Sequence, residues 1–186
     1  MFASAPENIR LHEHTFRPYL SEIVIRDRVL ELGKQLRDEL EGERITFMVM
    51  LRGAFVFAAD LIRASAIPGE ISFVRTSSYH GDRTTGTVDL ILPPEAESVR
   101  GRDIILIEDI VDSGYTMQAF LPVLTSMEAR SVKLVTLLHK PEAQRVPVAI
   151  DYTGFEIPTK FVVGYGLDYD GLGRELPAIY QLDESY

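Results

Sequence analysis

The chain has 186 residues, a formal net charge of −9 and no cysteine. That length suits one domain able to bury its own core, and the absence of thiols excludes disulfide frameworks and thiolate metal sites. The acidic balance argues against broad nucleic-acid binding, which needs a basic face. A few placed cations and a metal ion can still draw a small anionic ligand into such a chain. The longest apolar stretch, residues 47–62, is broken by Arg52 and falls short of the roughly 20 residues of a membrane span. The opening Met1-Phe2-Ala3-Ser4-Ala5-Pro6 lacks the basic and long apolar regions of a signal peptide. A cytoplasmic protein that engages neither membrane nor nucleic acid is the expectation.

Ser21 is a natural N-cap, and Ile25, Val29, Leu32, Leu36 and Leu40 follow at helical spacing, which predicts an amphipathic helix over about 22–41. Residues 45–51 read as a buried strand that breaks at Arg52-Gly53, with a second helix over about 54–66. Residues 70–79 alternate as a strand does, and residues 80–86 form a polar, glycine-bearing loop. A small outlying strand is expected over 87–92, closed by Pro93-Pro94. After the stretch described next come a helix over 115–128 and a buried strand over 132–138. The last forty-six residues carry Pro141, Pro147, Pro158 and Pro177 among short apolar runs and look like irregular β structure. Strands alternating with helices imply an α/β fold with a parallel twisted sheet flanked by helices. One domain over 1–186 is expected, with a core of about 21–140 and a small hood built from 1–20 and 141–186.

Residues 104–116 hold most of the functional information. Ile104-Ile105-Leu106-Ile107 is a continuous aliphatic run, as in a strand covered on both faces. It leads into Glu108-Asp109, Ile110-Val111 and then Asp112-Ser113-Gly114-Tyr115-Thr116. Three carboxylates and a small-residue turn at the carboxyl end of such a strand lie where open α/β sheets bind ligands. Adjacent acids there must be hydrated or given a partner. Backbone N–H groups of Ser113, Gly114, Tyr115 and Thr116, at a strand-to-helix turn, would face an anion, and Gly114 is the position expected to tolerate no Cβ. An ordinary helix start capped by Asp112 or Ser113 is the plainer alternative. Glu108 and Asp109 offer hard oxygen ligands of the kind magnesium takes; side by side in a strand, they should point to opposite faces. Arg52 beside bare Gly53 backbone is well suited to clasp phosphate oxygens, although an arginine at a strand end needs no such role.

The run Glu108-Asp109-Ile110-Val111-Asp112-Ser113-Gly114-Tyr115-Thr116 resembles the phosphoribosyl-diphosphate signature of the type I phosphoribosyltransferases. Leu51-Arg52-Gly53, Ser78-Tyr79, Leu137-Leu138-His139-Lys140, Gly154-Phe155-Glu156-Ile157-Pro158 and the segment from Lys160 to Tyr169 are similar to the hypoxanthine(-guanine) branch. The resemblance implies the type I phosphoribosyltransferase fold, Mg2+ as cofactor, and a homodimer or homotetramer. It implies transfer of a phosphoribosyl group from phosphoribosyl diphosphate to a 6-oxopurine: hypoxanthine, guanine or xanthine. On matching positions it assigns Asp112, Ser113, Gly114, Tyr115 and Thr116 to the 5′-phosphate, and Asp112 also to general-base catalysis. Glu108 and Asp109 fall on the ribose, and with Asp168 on the metal. Arg52, Gly53, Ser78, Tyr79 and Arg174 match the pyrophosphate site, and Lys140, Phe161, Val162 and Asp168 the purine site. It further implies a cis Leu51–Arg52 peptide bond and a mobile flap over 79–86.

Read from the residues alone, Phe161 offers a stacking face, but it and Val162 could equally be plain core. Tyr165 and Tyr169 read as packing residues, and His12, His14, His80 and His139 show no metal spacing. Two rival readings share the sheet: a regulatory protein that senses phosphoribosyl diphosphate, and a magnesium-dependent phosphohydrolase or receiver domain. The first needs a basic nucleic-acid face; the second leaves Lys140, Phe161 and Arg174 unexplained.

Overall fold

The computed structural model describes residues 8–40, 44–76 and 89–183. The chain begins with β1 (Ile9–Leu11), β2 (His14–Leu20) and α1 (Glu22–Glu39), then β3 (Ile45–Leu51), α2 (Phe55–Ser65) and β4 (Glu70–Thr76). After β5 (Leu90–Leu92) come β6 (Asp103–Val111), α3 (Tyr115–Ser126) and β7 (Ser131–His139). Three short strands close the chain: β8 (Tyr152–Glu156), β9 (Val162–Val163) and β10 (Ile179–Leu182).

Six strands form the larger sheet in the order β5-β4-β3-β6-β7-β8. All neighbours in it are parallel except β5, which lies antiparallel to β4. Strand β3 is buried along almost its whole length because both faces are covered. Phe47 and Val49 pack in the cluster of α1 and α2, through Ile25, Leu32, Phe57 and Leu61. Met48 and Met50 pack on the other face with Met117, Phe120 and Leu124 of α3. Each such fully buried side chain stabilises the fold by about 1.5–3 kcal/mol.

The two crossovers run in opposite directions from the middle of the sheet. The chain leaves β3 through α2 to reach β4 on one side, whereas β6 leads through α3 to β7 on the other. Right-handed crossovers running in opposite directions put α2 and α3 on opposite faces. The strand order therefore reverses between β3 and β6, and their carboxyl ends flank a crevice there.

Helix α1 starts as expected, with the Val24 amide donating to Ser21 Oγ at 3.4 Å. The smaller sheet, β1-β2-β10-β9, joins the two ends of the chain in antiparallel pairs. One expectation needs correcting. The segment after Lys140 is not all hood, because β8 is the edge strand of the larger sheet, with Val135 opposite Tyr152 and Leu138 opposite Phe155. Its backbone carbonyls at Thr153 and Gly154 accept hydrogen bonds from the Arg28 guanidinium at 2.8 and 2.9 Å, so a helix side chain covers the exposed edge. The expected strand over 87–92 is reduced to Leu90–Leu92. The anticipated loop and flap, with Ser78 and Tyr79, lie outside the described residues.

Candidate active site

At the crevice between β3 and β6 lies a cleft of about 300 Å³. Arg52 and Gly53 line it from the end of β3, Glu108 to Gly114 from β6 and its turn, Thr116 from α3, and Asp168 and Arg174 from the loops before β10. Ten of the residues singled out from the sequence thus converge on one hollow. Tyr115 is 44 % exposed and not among its lining residues. The Leu51–Arg52 peptide bond is cis.

Gly114 itself occupies the N-cap of α3, with φ +88°, and no side chain caps the helix. The capped start by Asp112 or Ser113 is therefore not the arrangement found. A Cβ on Gly114 would sit 2.9 Å from the Val146 carbonyl oxygen as well as carrying an unfavourable φ. The Ser113 carbonyl is pinned from outside, accepting from the amides of Arg145 and Val146 at 2.9 and 3.3 Å. A turn held this way leaves first-turn amides of α3 to a ligand, with the helix dipole behind them.

Glu108 is almost fully buried, and burial pushes its carboxyl well above the usual glutamate range, with the neighbouring Asp109 adding to the shift. The two acids occupy neighbouring positions of β6, with Glu108 buried and Asp109 at the cleft lining. The Glu108 carboxylate turns back on the strand, where its Oε1 accepts from the Asp109 amide at 3.2 Å. Asp109 lies flat against Gly53: a Cβ there would come within 1.6 Å of Asp109 Oδ2. Gly166 also packs against Gly53, its own missing Cβ leaving room for the Gly53 carbonyl. The role of Gly166 in this stack escaped the sequence reading, and only its place in Tyr165-Gly166-Leu167-Asp168 hinted at it.

Lys140 is 7 % exposed, and its ammonium donates to Asp112 Oδ2 at 2.8 Å. The Lys140 amide also donates to the Val111 carbonyl at 3.0 Å, so the β6–β7 ladder sets the spacing of the pair. Arg174 reaches Asp168 Oδ1 at 2.6 Å and the Gly166 carbonyl at 2.6 Å, while Asp168 Oδ2 accepts from the Gly171 amide at 2.8 Å. Phe161 and Val162 stand apart from the cleft lining, at the start of β9. Val162 is core, whereas the Phe161 ring is 44 % exposed and braced edge-on by Tyr169, with centroids 5.7 Å apart. Tyr169 donates to Glu13 Oε1 at 2.7 Å. Tyr165 does more than pack: its hydroxyl donates to Asp60 Oδ2 at 2.6 Å and ties the loop over Gly53 to α2, and burial pushes its phenol upward.

Among the described residues no three acidic or imidazole groups converge closely enough to cage a metal ion. That fits magnesium rather than excluding it, because magnesium is usually held by one or two carboxylates shared with substrate phosphates. Glu108 and Asp109 supply such a pair, with Glu108 held in a desolvated position where a cation would compensate its charge. Asp168 fits less directly, since both its oxygens already accept hydrogen bonds.

Comparison with known proteins agrees with this layout. The phosphoribosyl transferase domain family matches residues 22–170. Hypoxanthine phosphoribosyltransferase of Salmonella typhimurium is 38% identical over 169 residues, covering 90% of this chain and 95% of that protein. A crystal structure of a hypoxanthine phosphoribosyltransferase from Staphylococcus aureus superposes with a TM-score of 0.85 at 37% identity, over 90% of this chain and 91% of the other. A hypoxanthine-guanine phosphoribosyltransferase from Bacillus anthracis, with a HEPES molecule in its active site, gives 0.84 at 38% identity, over 89% and 98%. A type I phosphoribosyltransferase fold, a turn signature in its expected place and these relatives lead to one assignment: the chain belongs to the phosphoribosyltransferase family, in its hypoxanthine phosphoribosyltransferase branch.

Proposed function

We propose that this chain is a purine-salvage enzyme that moves the 5-phosphoribosyl group of phosphoribosyl diphosphate onto a 6-oxopurine, hypoxanthine or guanine, with xanthine as a further candidate. The products are the nucleoside monophosphate and pyrophosphate. The observation that carries the reading is the convergence of an uncapped helix start, two adjacent acids and Arg52 on the cleft where the strand order reverses. Ser113, Gly114, Tyr115 and Thr116 receive the 5′-phosphate through backbone amides, with Asp112 opening the turn. Glu108 and Asp109 take the ribose hydroxyls. Together with substrate oxygens they hold Mg2+, which supplies charge neutralisation to the diphosphate when bound.

Arg52, Gly53 and Arg174 receive the leaving pyrophosphate, helped by Ser78 and Tyr79. Lys140 donates to the oxygen at position 6 of the base, a contact that an adenine amino group would meet donor against donor. Phe161 supplies a flat face for the ring, and the Val162 backbone meets its edge, with Asp168 nearby. A purine ring nitrogen forms the new bond to carbon 1 while pyrophosphate leaves with the electron pair of its broken bond. Asp112 takes the imidazole N–H proton, leaving that pair of electrons on the ring. The enzyme works in the cytoplasm; no described helix is long and apolar enough to cross a membrane.

It acts as a homodimer or homotetramer. The surface offered for this is the groove between α1 and α2, where Leu30 and Phe55 are about half exposed. Glu22, Asp60 and Glu175 face Arg26, Arg63 and Arg174 around it. An equal mixture of signs is self-complementary across a twofold axis, unlike the rest of a chain of net charge −9. Pyrophosphate release should require both Mg2+ and an oxopurine. A protein that releases none with hypoxanthine, guanine or xanthine, or that keeps full activity with Glu108 and Asp109 changed to amides, does not carry out this reaction.

A further inference from the structure

Two groups with separate tasks on the same base hold each other in the described structure. The Lys140 ammonium, almost wholly buried, donates to Asp112 Oδ2 at 2.8 Å, while the Asp112 side chain is half exposed and opens into the cleft. The contact is built in by the backbone rather than left to two long side chains finding each other. Val111 pairs with His139 across the β6–β7 ladder, and the Lys140 amide donates to the Val111 carbonyl. Asp112 and Lys140 thus follow directly from two residues locked opposite one another. In a 6-oxopurine, the oxygen at position 6 and the imidazole nitrogen next to it lie on one edge of the ring. That edge presents an acceptor and an N–H side by side, the complement of an ammonium beside a carboxylate.

From this geometry we infer that Lys140 keeps Asp112 engaged until a base brings an oxygen at position 6. The inference rests on the transferase reading above and deepens it. The Asp112 oxygen that accepts from the Lys140 ammonium is held on it by a charge-assisted hydrogen bond and is not turned to a second donor. An oxopurine offers the ammonium a second acceptor, so Lys140 turns to it and Asp112 is released towards the adjacent N–H. The N–H bond then breaks, an O–H bond forms on Asp112, and the electron pair remains on the ring for the new bond to carbon 1. Unsubstituted purine has the N–H and no oxygen. It leaves the ammonium on Asp112, and the proton has nowhere to go. Selection for the 6-oxygen then operates in turnover as well as in binding.

Steady-state kinetics with hypoxanthine and with unsubstituted purine, on the wild type, Lys140→Met and Lys140→Arg, test this. For the wild type, discrimination between the two bases is expected to fall mainly in kcat at saturation, by about a hundredfold. Lys140→Met should lose turnover on hypoxanthine and gain about tenfold in kcat on unsubstituted purine, with little change in its KM. Lys140→Arg keeps a cation on Asp112 and should stay slow on unsubstituted purine. A gain of function on the poorer base is not something a merely structural lysine would produce. The inference is overturned if Lys140→Met leaves turnover of unsubstituted purine unchanged or lower, or if the wild type separates the two bases in KM alone. The second measurement needs no variant to fold. Absence of wild-type turnover with any oxopurine would instead sink the transferase reading, and this inference with it.

Discussion

The two main hollows of this molecule differ in what built them. The groove between α1 and α2 measures about 730 Å³ and is walled by Val29, Leu30, Phe55, Val56, Leu176 and Pro177. The strand-end cleft is less than half that size, about 300 Å³, and is walled by Arg52, Glu108, Asp109, Asp112, Asp168 and Arg174. A large apolar pocket is the usual first guess at a binding site, and here it would mislead. The groove lies between two helices and the 174–177 segment, whereas the cleft is where reversed strand order, a helix start and adjacent charges coincide. Arg174 lines both and is the one cation they share among the described residues. The proposed site follows the convergence of polar groups on a switch point, not volume.

The largest effect is expected at Asp112. Asp112→Ala should lower kcat by about 10²–10⁴-fold, the usual worth of a positioned general base, while the KM for phosphoribosyl diphosphate changes only a few fold. Near-normal turnover in steady-state assays would remove Asp112 from the catalytic list and break the contrast between the two hollows. Next comes Gly53→Ala, which deletes nothing. It puts a methyl where Asp109 Oδ2 now sits, at a residue whose carbonyl is itself closely packed by Gly166. In the proposed role of Asp109, a displacement of about 1 Å costs on the order of 10²-fold in rate. Activity should fall with little change in melting temperature; an unaffected rate would show that the stack of Asp109, Gly53 and Gly166 does not position substrate.

Glu108→Gln sharpens the comparison from the side of stability. Burial raises the folded-state Glu108 carboxyl above its ordinary value of 4.5. The folded chain therefore keeps a proton that the unfolded chain has released, and Glu108 costs stability as pH rises through that window. A glutamine carries no such cost. The variant should melt at the same temperature as the wild type near pH 4.5 and progressively higher above it, by about 2–4 °C per kcal/mol relieved. Its Mg2+-dependent activity should fall over the same range in which its stability rises. Melting curves that run parallel at every pH would mean that Glu108 is not strained by its burial. A site that is paid for in stability is what separates the cleft from the groove.

How legible these regions were in the sequence follows from how local each one is. The stretch from Ile104 to Thr116 packs a buried strand, its acids, a turn and a helix start into contiguous residues, so pattern alone located it. Ser21 and the stripe from Ile25 to Leu36 gave α1 in the same way. Strand β8 was not legible, because an edge strand of five residues near several prolines carries little periodicity and owes its place to pairing with β7. The contacts that organise the site cross long separations: Gly53 with Asp109 and Gly166, Lys140 with Asp112, Tyr165 with Asp60. No hydrophobic period encodes a pairing of that kind. Glu108 and Asp109 stood out in the sequence as candidate site residues, but no pattern signalled that the buried Glu108 carboxylate would turn onto the Asp109 amide.

The smallest effect on chemistry is expected in the larger hollow. Leu30 is 54 % exposed on α1, at the wall of the groove and away from the cleft lining. Surface substitutions remote from specific contacts usually change stability by less than about 0.5 kcal/mol, so Leu30→Glu should fold normally. If the groove holds a second copy of the chain, two glutamates meet across the twofold axis and association weakens. Light scattering coupled to size exclusion should then show a lower molar mass, with turnover per site within about threefold of wild type, since a surface change of this size shifts a barrier by well under 1 kcal/mol. An unchanged mass would move the interface elsewhere. An unchanged mass with a large loss of turnover would be more telling: it would mean that Arg174, shared between the two hollows, transmits the groove's state to the pyrophosphate side, and that the two are one device rather than two.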